Sequence, residues 1–117
     1  MAGAIVRDGR LLAARRPFHK RDGGKWELPG GKVEAGETEQ AALVREIREE
    51  LLCGVTADLR VGEVILGGVR LCAWMCTLVD GEPTRTEHVE LRWLLPDAVA
   101  GLDWADADVP LLGRLQW

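Results

Sequence analysis

The chain has 117 residues, 47% of them hydrophobic and 29% charged, the proportions of an ordinary globular domain rather than of a disordered segment. Fifteen Lys and Arg against nineteen Asp and Glu leave a formal charge of −4, and without a basic run this argues against duplex nucleic acid or an anionic membrane as a partner. No apolar run approaches the ~18 to 20 residues that span a bilayer, and residues 1–7 lack the basic and apolar regions of a signal peptide, so a cytoplasmic protein is expected. The negative charge is concentrated: residues 34–50 hold six acids and two bases, while the other 100 residues hold thirteen of each.

With no repeat, linker or change of composition, residues 1–117 read as one domain. Residues 4–6 and 11–14 are expected to be short strands joined at Asp8-Gly9, a strong hairpin signal. The short segment before the first strand leaves that sheet edge a candidate for pairing or truncation. Residues 15–25 form a polar stretch with Pro17 and Gly23-Gly24, long enough for a binding loop, that leads into Trp26-Glu27-Leu28-Pro29-Gly30-Gly31.

Residues 38–52 contain helix formers with no Gly or Pro, and Thr38 suits an N-cap. At 100° per residue Val44, Ile47 and Leu51 share one face, with Glu46, Glu49 and Glu50 on the roughly opposite one. Residues 61–66 and 69–79 read as a hairpin turning at Gly67-Gly68, and the nearly continuous apolar run of its second strand suggests a central strand covered on both faces. Residues 90–94 alternate as another strand, ended by Pro96, and residues 109–115 are expected to form a final helix capped by Asp106 or Asp108. Cys72 and Cys76, four residues apart in a strand, are too distant to pair with each other. With His19 and His88 isolated there is no zinc-ligand set, and the three cysteines read as small buried apolar residues.

Glu46, Glu49 and Glu50 repel one another at helical spacing, and Arg45 can pair with Glu49 but cannot neutralise all three. A hard divalent cation held by oxygen ligands resolves the conflict, Mg²⁺ or Mn²⁺ rather than zinc; a solvated helix face is the alternative. Just before the helix, Gly30-Gly31-Lys32-Val33-Glu34-Ala35-Gly36-Glu37 lets backbone approach a ligand closely.

Together these residues resemble a known signature. Gly31, five residues, Glu37, seven residues and Arg45-Glu46-Ile47-Arg48-Glu49-Glu50 are similar to the box of the Nudix hydrolases, G-x5-E-x7-R-E-U-x-E-E-x-G-U, over residues 31–54. The pattern asks for Gly at 52, where this chain has Leu52-Cys53 and then Gly54. A helix end displaced by about half a turn, capped by Gly54, is the expected meaning.

The resemblance implies an α/β/α sandwich around a mixed sheet and hydrolysis of a nucleoside diphosphate linked to another group, with Mg²⁺ or Mn²⁺. It implies Glu46, Glu49 and Glu50 as metal ligands, the Gly30 carbonyl as a further ligand, and Arg45, Glu37 and Gly31 in support of them. Glu46 is the favoured general base, with Glu50 and Glu87 as rivals. Residues 13–16, 26–32, 87–94 and 102–112 are similar to the MutT-type branch, which cleaves nucleoside triphosphates to monophosphate and pyrophosphate. In form they are close to bacterial (d)CTP pyrophosphohydrolases and 8-oxo-dGTP diphosphatases. On that reading Glu87 adds a metal-binding acid, Arg16 clasps phosphate, Arg70 and Leu28 approach the base, and Asp108 presents its carboxylate to the base edge. The partner is a small nucleotide, with monomer or homodimer open. Hydrolysis of another diphosphate such as ADP-ribose, and a non-catalytic nucleotide-binding module, are the alternatives.

Overall fold

A computed structural model describes residues 1–117. The strands are β1 (Ala2–Arg7), β2 (Arg10–Arg15), β3 (Trp26–Glu27), β4 (Gly54–Leu66), β5 (Val69–Asp80) and β6 (Glu90–Leu94). The helices are α1 (Glu39–Leu51) and the short α2 (Val109–Leu112), preceded by a 3₁₀ turn at Pro96–Gly101. The sheet runs β3-β2-β1-β5-β4, with β6 also paired to β2. It is mixed, because β1 lies parallel to β5 while the other pairs are antiparallel. β1 is therefore an interior strand rather than the open edge expected for it; its neighbours on both sides come from later in the chain or from the hairpin that follows.

Alternation along the strands supplies two cores. Ile5 and Leu12 join Leu43, Ile47, Leu51, Cys53, Val55 and Cys76 on the α1 face. Ala2, Ala4, Leu11, Ala13, Ala73 and Met75 point the other way, under Trp104 and Leu111. Each face is buried by its own layer, which gives the α/β/α sandwich. The middle of β5 is covered on both sides as its apolar run suggests, and its ends are exposed. β4 begins seven residues before the expected strand, because its first half alternates buried and exposed positions too weakly to read. All three cysteines are buried and unpaired.

The end of α1 differs from expectation. Gly54 is not the cap; Leu52 is, at φ 56°, with its N–H donating to the Arg48 carbonyl. Gly54 starts β4, where a Cβ would lie 2.5 Å from the Arg48 guanidinium and 3.1 Å from Asp80 Cβ. The displaced glycine thus makes room for the Arg48–Asp80 ion pair instead of turning the chain. A left-handed leucine is strained and its side chain, 53% exposed, contributes little packing. Leu52→Gly is expected to raise stability in urea by up to about 1 kcal/mol. An unchanged or lower midpoint would show that the side chain contributes more than the strain costs.

The final helix is also shorter than expected. It spans four residues, ends at Gly113, and the Asp108 side chain does not cap it. That carboxylate is used elsewhere.

Candidate active site

The α1 N-terminus, the Gly30-Gly31 segment, the start of β5 and the loop before β6 surround a cleft of about 650 Å³. Among the residues anticipated from the sequence, Gly30, Gly31, Glu50, Glu87, Arg16, Leu28, Arg70 and Asp108 line it. Glu46, Glu49, Arg45 and Glu37 do not.

Those four form the support beneath one wall. The Arg45 guanidinium donates to Glu37 at 2.7 and 2.9 Å, to Glu46 at 2.9 Å, to Glu49 at 3.4 Å and to the Lys32 carbonyl at 3.0 Å. One cation thereby ties α1 to the turn before it. Its hydrogen bonds hold Glu37 down at about 2, well below the usual carboxylate range. The Glu46 carboxylate packs under Gly31 so closely that a Cβ there would collide with it. This accounts for glycine at the first position of the motif by close approach rather than by dihedral.

Glu50 behaves differently from its neighbours on the helix. Its carboxyl accepts no hydrogen bond and joins no ion pair. Burial, together with Glu27, Glu46 and Glu87 around it, pushes it up to about 7 despite the opposing influence of His88. The loop bearing Glu87 and His88 is fastened to the end of α1, where Thr86 Oγ1 donates to the Glu50 carbonyl at 2.7 Å and the Thr84 N–H to that of Leu51 at 2.8 Å. These bonds satisfy carbonyls that a helix end leaves open. Glu87 itself pairs with Lys20 at 2.8 Å, which keeps it below its usual range.

No three acids, histidines or cysteines converge tightly enough to enclose an ion with the side chains as they lie. Glu49 is turned outward, 60% exposed and paired with Arg45. The donors that border the cleft from the Nudix-like segment are nevertheless all oxygen, and Glu50 is an acid without a cation. That donor chemistry fits a hard divalent ion.

The opposite wall is assembled from distant parts of the chain. Residues 103–105 run beside β3, with Trp26 N–H donating to the Asp103 carbonyl at 2.9 Å and Ala105 N–H to the Trp26 carbonyl at 2.8 Å. This brings Asp108 to Leu28, whose N–H donates to Asp108 Oδ2 at 2.7 Å. Asp108 is 5% exposed; burial lifts its carboxyl to about 7, with Glu27 adding to the rise and the Leu28 N–H opposing it. Leu28 is a core residue that also borders the cleft. Arg16 donates to Glu27 at 2.8 Å and to the Arg21 carbonyl at 2.8 Å. Arg70 is held by Glu63 at 2.6 Å and stands at the cleft rim.

The NUDIX domain family matches residues 1–114. The chain belongs to the Nudix family. It is 45% identical over 114 residues to a Mycobacterium tuberculosis protein provisionally named 8-oxo-dGTP diphosphatase 2, covering 92% of this chain and 80% of that one. It is 40% identical over 120 residues to the CTP pyrophosphohydrolase of Escherichia coli K12, covering 96% and 86%. A crystal structure of a MutT Nudix hydrolase from Burkholderia pseudomallei superposes with a TM-score of 0.79 at 30% identity, over 98% and 95% of the two chains. The Nudix box therefore lies where its acids border or brace a single cleft, and the chain acts as a hydrolase of nucleotide diphosphate bonds.

Two cleft residues of this Nudix chain escaped the sequence reading. Glu27 and His88 are 61 residues apart, and His88 Nε2 stands 2.9 Å from Glu27 Oε2. Burial alone would raise the Glu27 carboxyl, but the bonds from His88 and Arg16 outweigh it and hold the group below its ordinary value. The available signal was a charged residue at alternate register in a two-residue strand between apolar neighbours, too slight to separate from a solvent-facing position.

Proposed function

We propose that this chain, as one domain over residues 1–117, is a metal-dependent pyrophosphohydrolase that splits a nucleoside triphosphate into monophosphate and pyrophosphate. The observation that carries this is the shared cleft, in which Glu50 and Glu87 on the acidic side stand with Arg16, Lys20, Lys32 and Arg70 and with the buried Asp108. Cations to receive a polyphosphate and a polar group to read a base occur in one cavity of nucleotide size. The names carried by the two relatives favour 8-oxo-dGTP or CTP, or its deoxy form, as substrate; with such a substrate the chain would cleanse the cytoplasmic nucleotide pool. No helix is long and apolar enough to cross a membrane.

Glu46, Glu49, Glu50, Glu87 and the Gly30 carbonyl would hold Mg²⁺ or Mn²⁺, with Arg45 and Glu37 orienting the carboxylates. Such an ion supplies charge neutralisation for the phosphates and acidifies the attacking water. Arg16 keeps Nη2 uncommitted for a phosphate oxygen. Glu50 is better placed than Glu46 to accept the proton of that water, because it borders the cleft and has no other partner, whereas Glu46 is bonded to Arg45 beneath Gly31. Leu28 supplies an apolar contact for the base and Asp108 its polar one.

A panel of (d)CTP, 5-substituted dCTP, dGTP, 8-oxo-dGTP and ADP-ribose, each with Mg²⁺ or Mn²⁺, tests this reading by product identity and kcat/KM. Monophosphate and pyrophosphate are expected, from a triphosphate, and only with metal. No turnover of any of these compounds would overturn it.

A further inference from the structure

His88 is the buried polar residue for which neither the acidic helix nor the base contact accounts. It is 6% exposed, borders the cleft, and its Nδ1 is the one buried side-chain nitrogen or oxygen without a hydrogen-bond partner. Its Nε2 meets Glu27 Oε2 at 2.9 Å, and Glu27 Oε1 accepts from Arg16 Nη1 at 2.8 Å. Arg16 is fastened a second time through Nε, to the Arg21 carbonyl. We infer that His88 is a positioning residue: as its Nε2–H tautomer it orients Glu27, and Glu27 in turn aims the Arg16 guanidinium at the phosphates of a nucleotide in the cleft.

The tautomer follows from hydrogen-bond chemistry. An ionised Glu27 can only accept, so the nitrogen facing it carries the hydrogen. A hydrogen on Nδ1 instead would leave a buried donor unmet and set a bare lone pair against a carboxylate. The bare Nδ1 lone pair is the less costly orphan. Arg16 approaches Glu27 from the end of β2, and His88 approaches it from the loop before β6. Three separate segments thus meet on one carboxylate, and truncating His88 leaves that carboxylate free to rotate with Arg16 attached.

The inference rests on the triphosphate reading, and two measurements keep its failure separate. The chain has two histidines, so a two-bond ¹H–¹⁵N spectrum of the wild type, assigned with His88→Gln, reports the His88 tautomer without substrate. A protonated Nε2 and bare Nδ1 are expected; the reverse would overturn the inference even if nucleotides are hydrolysed. In kinetics, His88→Phe is expected to raise KM for the best triphosphate about tenfold with kcat nearly unchanged, the scale of one lost hydrogen bond to a charged group. His88→Gln, whose amide N–H can still donate to Glu27, should recover most of the loss. In an Arg16→Ala background, itself raised in KM, His88→Phe should add little, since the two act on one contact. A merely structural histidine would give additive effects. Additivity, an unchanged KM in His88→Phe or Arg16→Ala, or failure of Gln to restore what Phe removes would each overturn the inference. Should His88→Phe not fold, the tautomer and the comparison of His88→Gln with wild type decide the matter.

Discussion

Glu50→Gln is expected to lower kcat by roughly 10²- to 10⁴-fold, the range lost with a general acid or base, while leaving the protein folded. The two halves of this expectation have separate physical causes. Glu50 borders the cleft with no partner for its carboxylate, so its chemistry is available to a ligand and nothing in the fold depends on it. In metal-free buffer at pH 8 its charge sits half buried beside Glu27, Glu46 and Glu87, and the neutral amide removes that repulsion. The melting temperature of the variant should therefore equal or exceed that of the wild type. Glu37→Gln supplies the contrast. It removes the principal carboxylate bonded to Arg45, so it should lower activity less and loosen the turn before α1. An active Glu50→Gln enzyme would remove Glu50 from the chemistry, and a destabilised one would mean that its carboxylate has a partner within the fold.

Asp108→Asn should change both the pH dependence of stability and the choice of base. Burial pushes the Asp108 carboxyl up to about 7, from an ordinary value of 3.8. Between these values the unfolded chain has released its proton while the folded chain still holds it. The contribution of Asp108 to stability is therefore greatest below about pH 4, falls as pH rises to about 7, and is level above, by on the order of 4 kcal/mol for a shift of this size. Asparagine can still accept the Leu28 N–H and carries no charge. The gain in melting temperature for Asp108→Asn should then be larger at pH 8 than at pH 5. Equal gains at both values would mean that Asp108 is already ionised at low pH.

The same titration bears on recognition. As an ionised carboxylate Asp108 only accepts, which suits an amino group such as that of cytosine; as an acid it can also donate, which suits a carbonyl at the same position. The sequence alone suggests the first state, but burial makes the two nearly balanced at neutral pH. The ratio of kcat/KM for CTP over UTP should rise with pH through about 7 in the wild type and stay flat in Asp108→Asn, whose amide both donates and accepts. A wild-type ratio independent of pH would return Asp108 to the role of holding Leu28 in place.

The helix was legible because its signals are local: Thr38 caps it through a 3.1 Å bond to the Ala41 N–H, and Ile47 and Leu51 repeat at the helical period. The hairpins were legible for the same reason, from Asp8-Gly9 and Gly67-Gly68. The spacing of Gly31, Glu37, Arg45, Glu46, Glu49 and Glu50 was legible as a family signature, and of these acids Glu46 packs against Gly31. Spacing could not tell which of these acids has a free carboxylate, since that depends on how Arg45 distributes its donors among Glu37, Glu46 and Glu49.

The sequence by itself determined the local conformations, the alternation that gives two buried faces, and the family. Each rests on residues within a few turns of one another, where periodicity and capping act directly. Only the tertiary structure decided that Leu52 rather than Gly54 ends the helix, because Gly54 answers to Asp80, a residue on another strand. It also decided that Asp108 bonds Leu28 instead of capping α2, and that His88 and Glu27 meet. Those contacts join residues 61 and 80 positions apart. Their energies come from desolvation and from hydrogen bonds that exist only once the sheet has brought β2, β3 and the segment before β6 together.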